Sequence, residues 1–66
     1  MNTTATVTQI NTNSITLAHP AGHELVWRDA PRNLNEGDTV VMAYEITAYG
    51  SFDGRTQHLI NVLATN

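Results

Sequence analysis

Residues 35–64 read NEGDTVVMAYEITAYGSFDGRTQHLINVLA, and this stretch decides the fold. It opens on Asn35-Glu36-Gly37-Asp38, a tight turn built from residues that favour reversals. From Thr39 to Tyr49 the chain alternates. Val40, Met42, Tyr44 and Ile46 make one apolar face, while Val41 and Ala43 share the other with Glu45 and Thr47. A period of two over this length predicts a strand, the longest in the chain. Gly50-Ser51-Phe52-Asp53-Gly54 follows as a loop, and Asp53-Gly54 is a strong hairpin signal. The next strand is predicted over residues 55–64. Ile60 and Val62 lie on one face, Leu59 and Leu63 on the other, so this strand is apolar on both sides, as strands covered on both faces are.

Working outward, the same reading gives three more strands. The first runs from Thr3 to Ile10, with Ala5 and Val7 alternating against threonines. Ile10 falls on the wrong parity, which predicts a bulge or a bend near Gln9. Asn11-Thr12-Asn13 is a turn. Residues 14–19 form the second strand, with Ile15 and Leu17 on one face. Pro20-Ala21-Gly22 reverses the chain into the third strand, residues 23–29, where Leu25 and Trp27 share a face. Ala30-Pro31-Arg32-Asn33 breaks the pattern, and Leu34 is expected to plug one end of the core from at most one helical turn. No stretch of ten residues has the i, i+3, i+4, i+7 spacing of a helix. Five short strands at near-regular intervals predict an all-β domain, a small antiparallel barrel whose closure removes exposed edges.

Composition bounds the rest. The chain has 66 residues, one domain's worth. A domain this short buries roughly 60% of the surface its unfolded chain exposes, so it needs good packing, a cross-link or a partner. Cysteine is absent, which excludes disulfides and thiolate metal sites. The net charge of −3 sets six acidic residues against Arg28, Arg32 and Arg55, with no lysine. Duplex binders use about six to ten phosphate contacts, which three arginines do not supply in a monomer. A basic membrane-surface patch is excluded too, and no apolar run reaches the roughly 18 residues of a membrane span. The first residues lack the features of a signal peptide, so the expectation is a cytoplasmic protein.

Three segments carry a resemblance: Val7-x2-Ile10-x4-Ile15-Thr16-Leu17, then Leu34-Asn35-Glu36-Gly37-Asp38-Thr39-Val40, then Asp53-Gly54 before the last strand. Together they resemble the OB-fold and SH3-like small barrels over most of the chain. OB-folds usually carry a helix between strands three and four, and here residues 30–35 have room for one turn only. The resemblance implies a ligand surface across strands two and three, framed by the loops after strands one and four. It would include Trp27, Arg28, Tyr49, Phe52 and Arg55. Aromatics that stack on bases and arginines that pair with phosphates suit single-stranded nucleic acid, although the negative net charge opposes it. The parity of Trp27 with Leu25 points that ring toward the core instead, and the sequence leaves both positions open.

His19 and His23 flank the Pro20-Ala21-Gly22 turn with Glu24 nearby, but two histidines without a third fixed ligand make a weak metal site, and exposed loop histidines are the favoured reading. His58 would join them only if folding brought it there. No nucleophile–base pair, phosphate loop or G-x-S-x-G motif is present, and the acidic residues fall at turns. The expectation is therefore no cofactor, no metal and no catalytic role. The two-sided apolar strands predict instead a protein-binding module that contacts a protein partner or a second copy of itself. Val41, Ala43, Leu59 and Leu63 would make that contact. Single-stranded nucleic-acid binding is the alternative.

Overall fold

The computed structural model describes residues 1–66. Its strands are β1 Asn2–Ile10, β2 Ser14–Ala18, β3 Glu24–Arg28, β4 Thr39–Ala48, β5 Ser51–Phe52 and β6 Arg55–Thr65. Five of them close a ring in the order β1-β2-β3-β6-β4 and back to β1, while β5 pairs only with the start of β6. The chain is thus a small closed β-barrel, consistent with OB- and SH3-like barrels. No helix forms between β3 and β4, where turns alone connect the strands.

The expectation of an all-antiparallel barrel needs one correction. β3 and β6 pair in parallel, with Leu25 opposite His58 and Trp27 opposite Ile60. The reason is geometric. A closed ring with an odd number of strands cannot alternate direction all the way round, so one neighbouring pair must run the same way. Parallel pairs need a long crossover, and residues 29–54, containing β4 and β5, supply it.

Local chemistry sets the turns. Gly37, at φ +93°, lets the chain reverse before β4. The Asn35 N–H donates to Asp38 Oδ2 at 2.9 Å, and the Asp38 N–H returns to the Asn35 carbonyl at 3.0 Å. This turn docks on β1: the Gly37 N–H donates to the Val7 carbonyl and the Val7 N–H to the Asp38 carbonyl, both at 2.8 Å. At the β5–β6 hairpin Asp53 and Gly54 both have positive φ, +55° and +78°, as a two-residue type I′ turn demands.

The core follows the alternation. Ala5 and Val7 of β1, Ile15 and Leu17 of β2, Leu25 of β3, Val40, Met42 and Tyr44 of β4, and Ile60 of β6 are buried, with Ala30 from the loop. Trp27, Leu34, Ile46 and Val62 pack against this cluster from its ends. Leu17 and Leu25 are fully buried and paired across β2–β3, and each contributes about 2 kcal/mol by leaving water. The parity break at Ile10 is a register shift between Val7 and Gln9, which leaves Thr8 as the extra residue. Its hydroxyl donates to the Thr16 carbonyl at 3.2 Å.

Candidate functional site

Three surface regions stand out once the strands are placed. The first is the outer face of β1, β4 and β6 where the three run side by side. Ala43 pairs with Asn2 on one side and Ala64 on the other, and a shallow groove here is lined by Asn2, Val41, Met42, Ala43, Ala64, Thr65 and Asn66. No charged side chain lines it. Val41 is 43% exposed, and Leu63, on the adjoining strand, is 61% exposed. Ala43 opposes Ala64 and Tyr44 opposes Val62, so Leu63 is the unpaired extra residue of a bulge, and it points outward in step with Asn61 while Ile60 and Val62 face in.

Leu59 does not join this region. It lies opposite Val26 on β3 and Ala48 on β4, and it is half-buried. The Glu45–Asn61 pair stands between it and Leu63, with the Asn61 side-chain amide donating to Glu45 at 3.0 Å. Of the four residues expected to make a protein contact, Val41 and Ala43 line this groove, Leu63 lies outside its lining at the bulge opposite Ala43 and Tyr44, and Leu59 is further along β6.

The second region is a groove on the outer face of β2 and β3, with a volume of about 300 Å³. It is lined by Gln9, Asn11, Ser14, Thr16, Val26, Phe52, Arg55 and Gln57. The loop after β1 and the β5–β6 hairpin frame it. Phe52 is 61% exposed and Arg55 is charged, but Arg55 is not free: its guanidinium lies 3.5 Å from the Glu24 carboxylate, which also accepts from Gln57 at 3.1 Å. Arg28 is exposed and paired with Ser14, so it borders this face. Trp27 and Tyr49 do not. Trp27 turns inward against the core, and Tyr49, though 72% exposed, sits with the histidines.

That histidine cluster is the third region. The β2–β3 turn carries His19 and His23, and the parallel β3–β6 register brings His58 beside them. The His19 and His23 rings stack at 4.2 Å, His23 and His58 are 5.2 Å apart, and Tyr49 meets His58 edge-on at 4.8 Å. The backbone N–H of Ala21 donates to His19 Nδ1 at 3.0 Å, and that of Gly50 to His58 Nδ1 at 3.4 Å. Both Nδ1 atoms therefore act as acceptors, and in the neutral ring the proton sits on Nε2. Partial burial, then the proximity of His19 and of His58, lowers the His23 pKa from its ordinary value of 6.5. Nothing here is arranged as a metal centre. Both accepting nitrogens are spent on backbone amides, and no group of three His, Cys, Asp or Glu side chains is placed to hold an ion.

These features define a small β-barrel with a shallow outer groove lined without charged side chains, a polar groove and a cluster of three histidines. Comparison with protein-family models, with curated proteins and with solved structures finds no match to this chain. No helix is long and apolar enough to cross a membrane.

Proposed function

We propose that this chain is a non-enzymatic binding module that acts through protein–protein contact, self-association first, at the end of the barrel where β4 meets the C-terminal half of β6. One observation carries the reading: Leu63, a large apolar side chain 61% exposed, lies on β6 next to a groove that is lined by Val41 and Ala43 and has no charged side chain in its lining. Monomers seldom leave such residues grouped in the open. Only 11 of 66 residues are buried, so association supplies burial that the chain cannot reach alone. Sedimentation from low micromolar to millimolar concentration tests it. The expected result is a mass rising above 7.2 kDa with concentration, and loss of that rise in Leu63→Asp. A wild-type mass fixed at the monomer value refutes it.

A second reading rests on the groove over β2 and β3. It lies where the OB-type resemblance puts ligands, and Phe52 with Arg55 at its rim offers one stacking ring and one cation to single-stranded nucleic acid. That location favours the OB type of barrel over the SH3-like one. The charge does not favour the ligand, because Arg55 is already paired with Glu24. Binding of an oligonucleotide that weakens steeply with salt and is lost in Phe52→Ala would promote this reading over the first.

A further inference from the structure

β6 has two edges and they are used unequally. Along one edge it pairs with β4 as far as Thr65. Along the other it pairs with β3, but only to Ile60. From Asn61 to Thr65 that second edge meets no strand, and the one further backbone bond at this end, from the Asn66 N–H to the Val41 carbonyl, runs to the β4 side. The ring is closed by β3 over half of β6 and left open over the rest.

Natural edges are guarded by lysine, proline, inward charges or short length. This one has no lysine, proline or charge; it has a bulge at Leu63 and the loop residues Pro31 and Leu34 near its end. The run Leu59-Ile60-Asn61-Val62-Leu63-Ala64-Thr65-Asn66 contains no charged side chain and no proline. The bulge twists it locally, and its extra residue is the exposed Leu63. Beside the edge, Thr65 and Asn66 line a pocket of about 200 Å³ with Trp27, Pro31 and Leu34. That pocket lies where the barrel has only a loop, residues 29–38, in place of a helix.

We infer that this edge is where a second copy of the chain docks, by antiparallel pairing of β6 with β6 of the other copy about a two-fold axis near Leu63. The inference rests on the self-association proposed above and specifies its geometry. Several observations favour a second copy as the occupant. An uncharged segment sets no like charges opposite one another when it pairs with itself. The other free edge, residues 2–5 of β1, is polar (Asn2-Thr3-Thr4-Ala5), and pairing β6 to it would build an open chain instead of a closed dimer. A contact of the minimum lasting size, about 500 Å² on each copy, would cover about one-eighth of the 4105 Å² surface. The added strand would lie over the pocket beside Trp27.

Amide hydrogen exchange on the wild type, dilute and concentrated, tests this directly. The expected result is that the alternate amides of Asn61–Thr65 facing away from β4 exchange freely when dilute and about tenfold or more slowly when concentrated. Trp27 emission should shift over the same concentration range. Leu63→Lys places a charge on the edge and should weaken association by about tenfold or more. Thr12→Lys, in the exposed β1–β2 turn, should leave the amide protection in place. If the protein associates while these amides stay unprotected, the edge is not the seam and the broader self-association reading survives. If it is monomeric at every concentration, both readings fall.

Discussion

The contrast between two leucines gives the sharpest test of the fold. Leu25 is fully exposed to the core and not at all to water, whereas Leu63 is 61% exposed. Cutting Leu25 back to alanine removes buried methyl groups from a site between Leu17 and His58, where the strands on both sides fix the backbone and limit collapse. The cost of such a cavity is about 3 kcal/mol, within the usual range of about 2–5 for Leu→Ala. A chain of this length has a total stability of about 3–10 kcal/mol. Leu25→Ala therefore leaves a protein between marginally folded and unfolded. In urea, with a slope of about 1–1.5 kcal/mol per molar, the midpoint should fall by about 2–3 M. Leu63→Ala at low protein concentration should shift the free energy by no more than about 0.5 kcal/mol. Both are read by urea titration with Trp27 fluorescence and circular dichroism on dilute samples. Equal losses in the two variants would refute the assignment of Leu25 to the core and Leu63 to the surface, and with it the register of β6.

The histidine cluster makes stability depend on pH. With its pKa in the fold below 6.5, His23 binds fewer protons folded than unfolded, so its contribution is fully present above pH 6.5 and is lost as pH falls through the folded value. The melting temperature should drop on acidification below pH 6.5, and His23→Gln should flatten that drop; an unchanged slope would refute the cluster. Gly54→Ala, at φ +78° in open space, should cost about 1 kcal/mol through backbone strain alone, measured as a shift in urea midpoint. Glu24→Gln breaks an ion pair whose arginine is half-exposed, so it should change stability by less than about 1 kcal/mol. The same variant frees Arg55, and any oligonucleotide affinity of the β2–β3 groove should rise with it; a fall would show that Glu24 itself contacts the ligand.

Much of the barrel was legible because alternation is local. Val40, Met42 and Tyr44 declare the inner face of β4, Ile15 and Leu17 that of β2, and Asp53-Gly54 the hairpin. Each follows from residues two apart. The parity break at Ile10 likewise announced the bulge at Thr8. The parallel closure was not read, although the strand count alone implies it: five strands in a ring cannot all be antiparallel to their neighbours. The candidate sites were less legible because they depend on pairs distant in the chain. His58 reaches His23 only through the β3–β6 register, and nothing near residue 58 signals it. Leu59 and Leu63 share a strand and a hydrophobic character, yet the register shifts at Thr47 and Leu63 put them in different surroundings. Tyr49, at the end of a predicted strand, and Phe52, in the loop after it, are near in sequence yet belong to two surfaces, one ring lying with the histidines and the other in the groove.

The length of β6 connects these points. A strand that only closed the ring could stop at Ile60, where β3 ends its pairing. β6 continues to Thr65, and over that extension it gains β4 on one edge and nothing on the other. The extension costs backbone entropy of about 1–2 kcal/mol for each residue held. Pairing on a single edge returns part of that, and the exposed Leu63 and Ala64 return little by burial. An added strand would satisfy the idle backbone groups and cover Leu63 together. Removal of the extension separates its two roles. A chain shortened after Asn61 keeps every β3–β6 pair and the pairs from Glu45–Asn61 to the hairpin, but loses Tyr44–Val62, Ala43–Ala64 and Met42–Thr65. If the extension serves association more than folding, the shortened chain should retain its β circular dichroism and cooperative melt with a lower midpoint, and sediment as a monomer at all concentrations. A shortened chain that is unfolded would instead assign the extension to the core through Val62, and one that still associates would remove β6 from the interface.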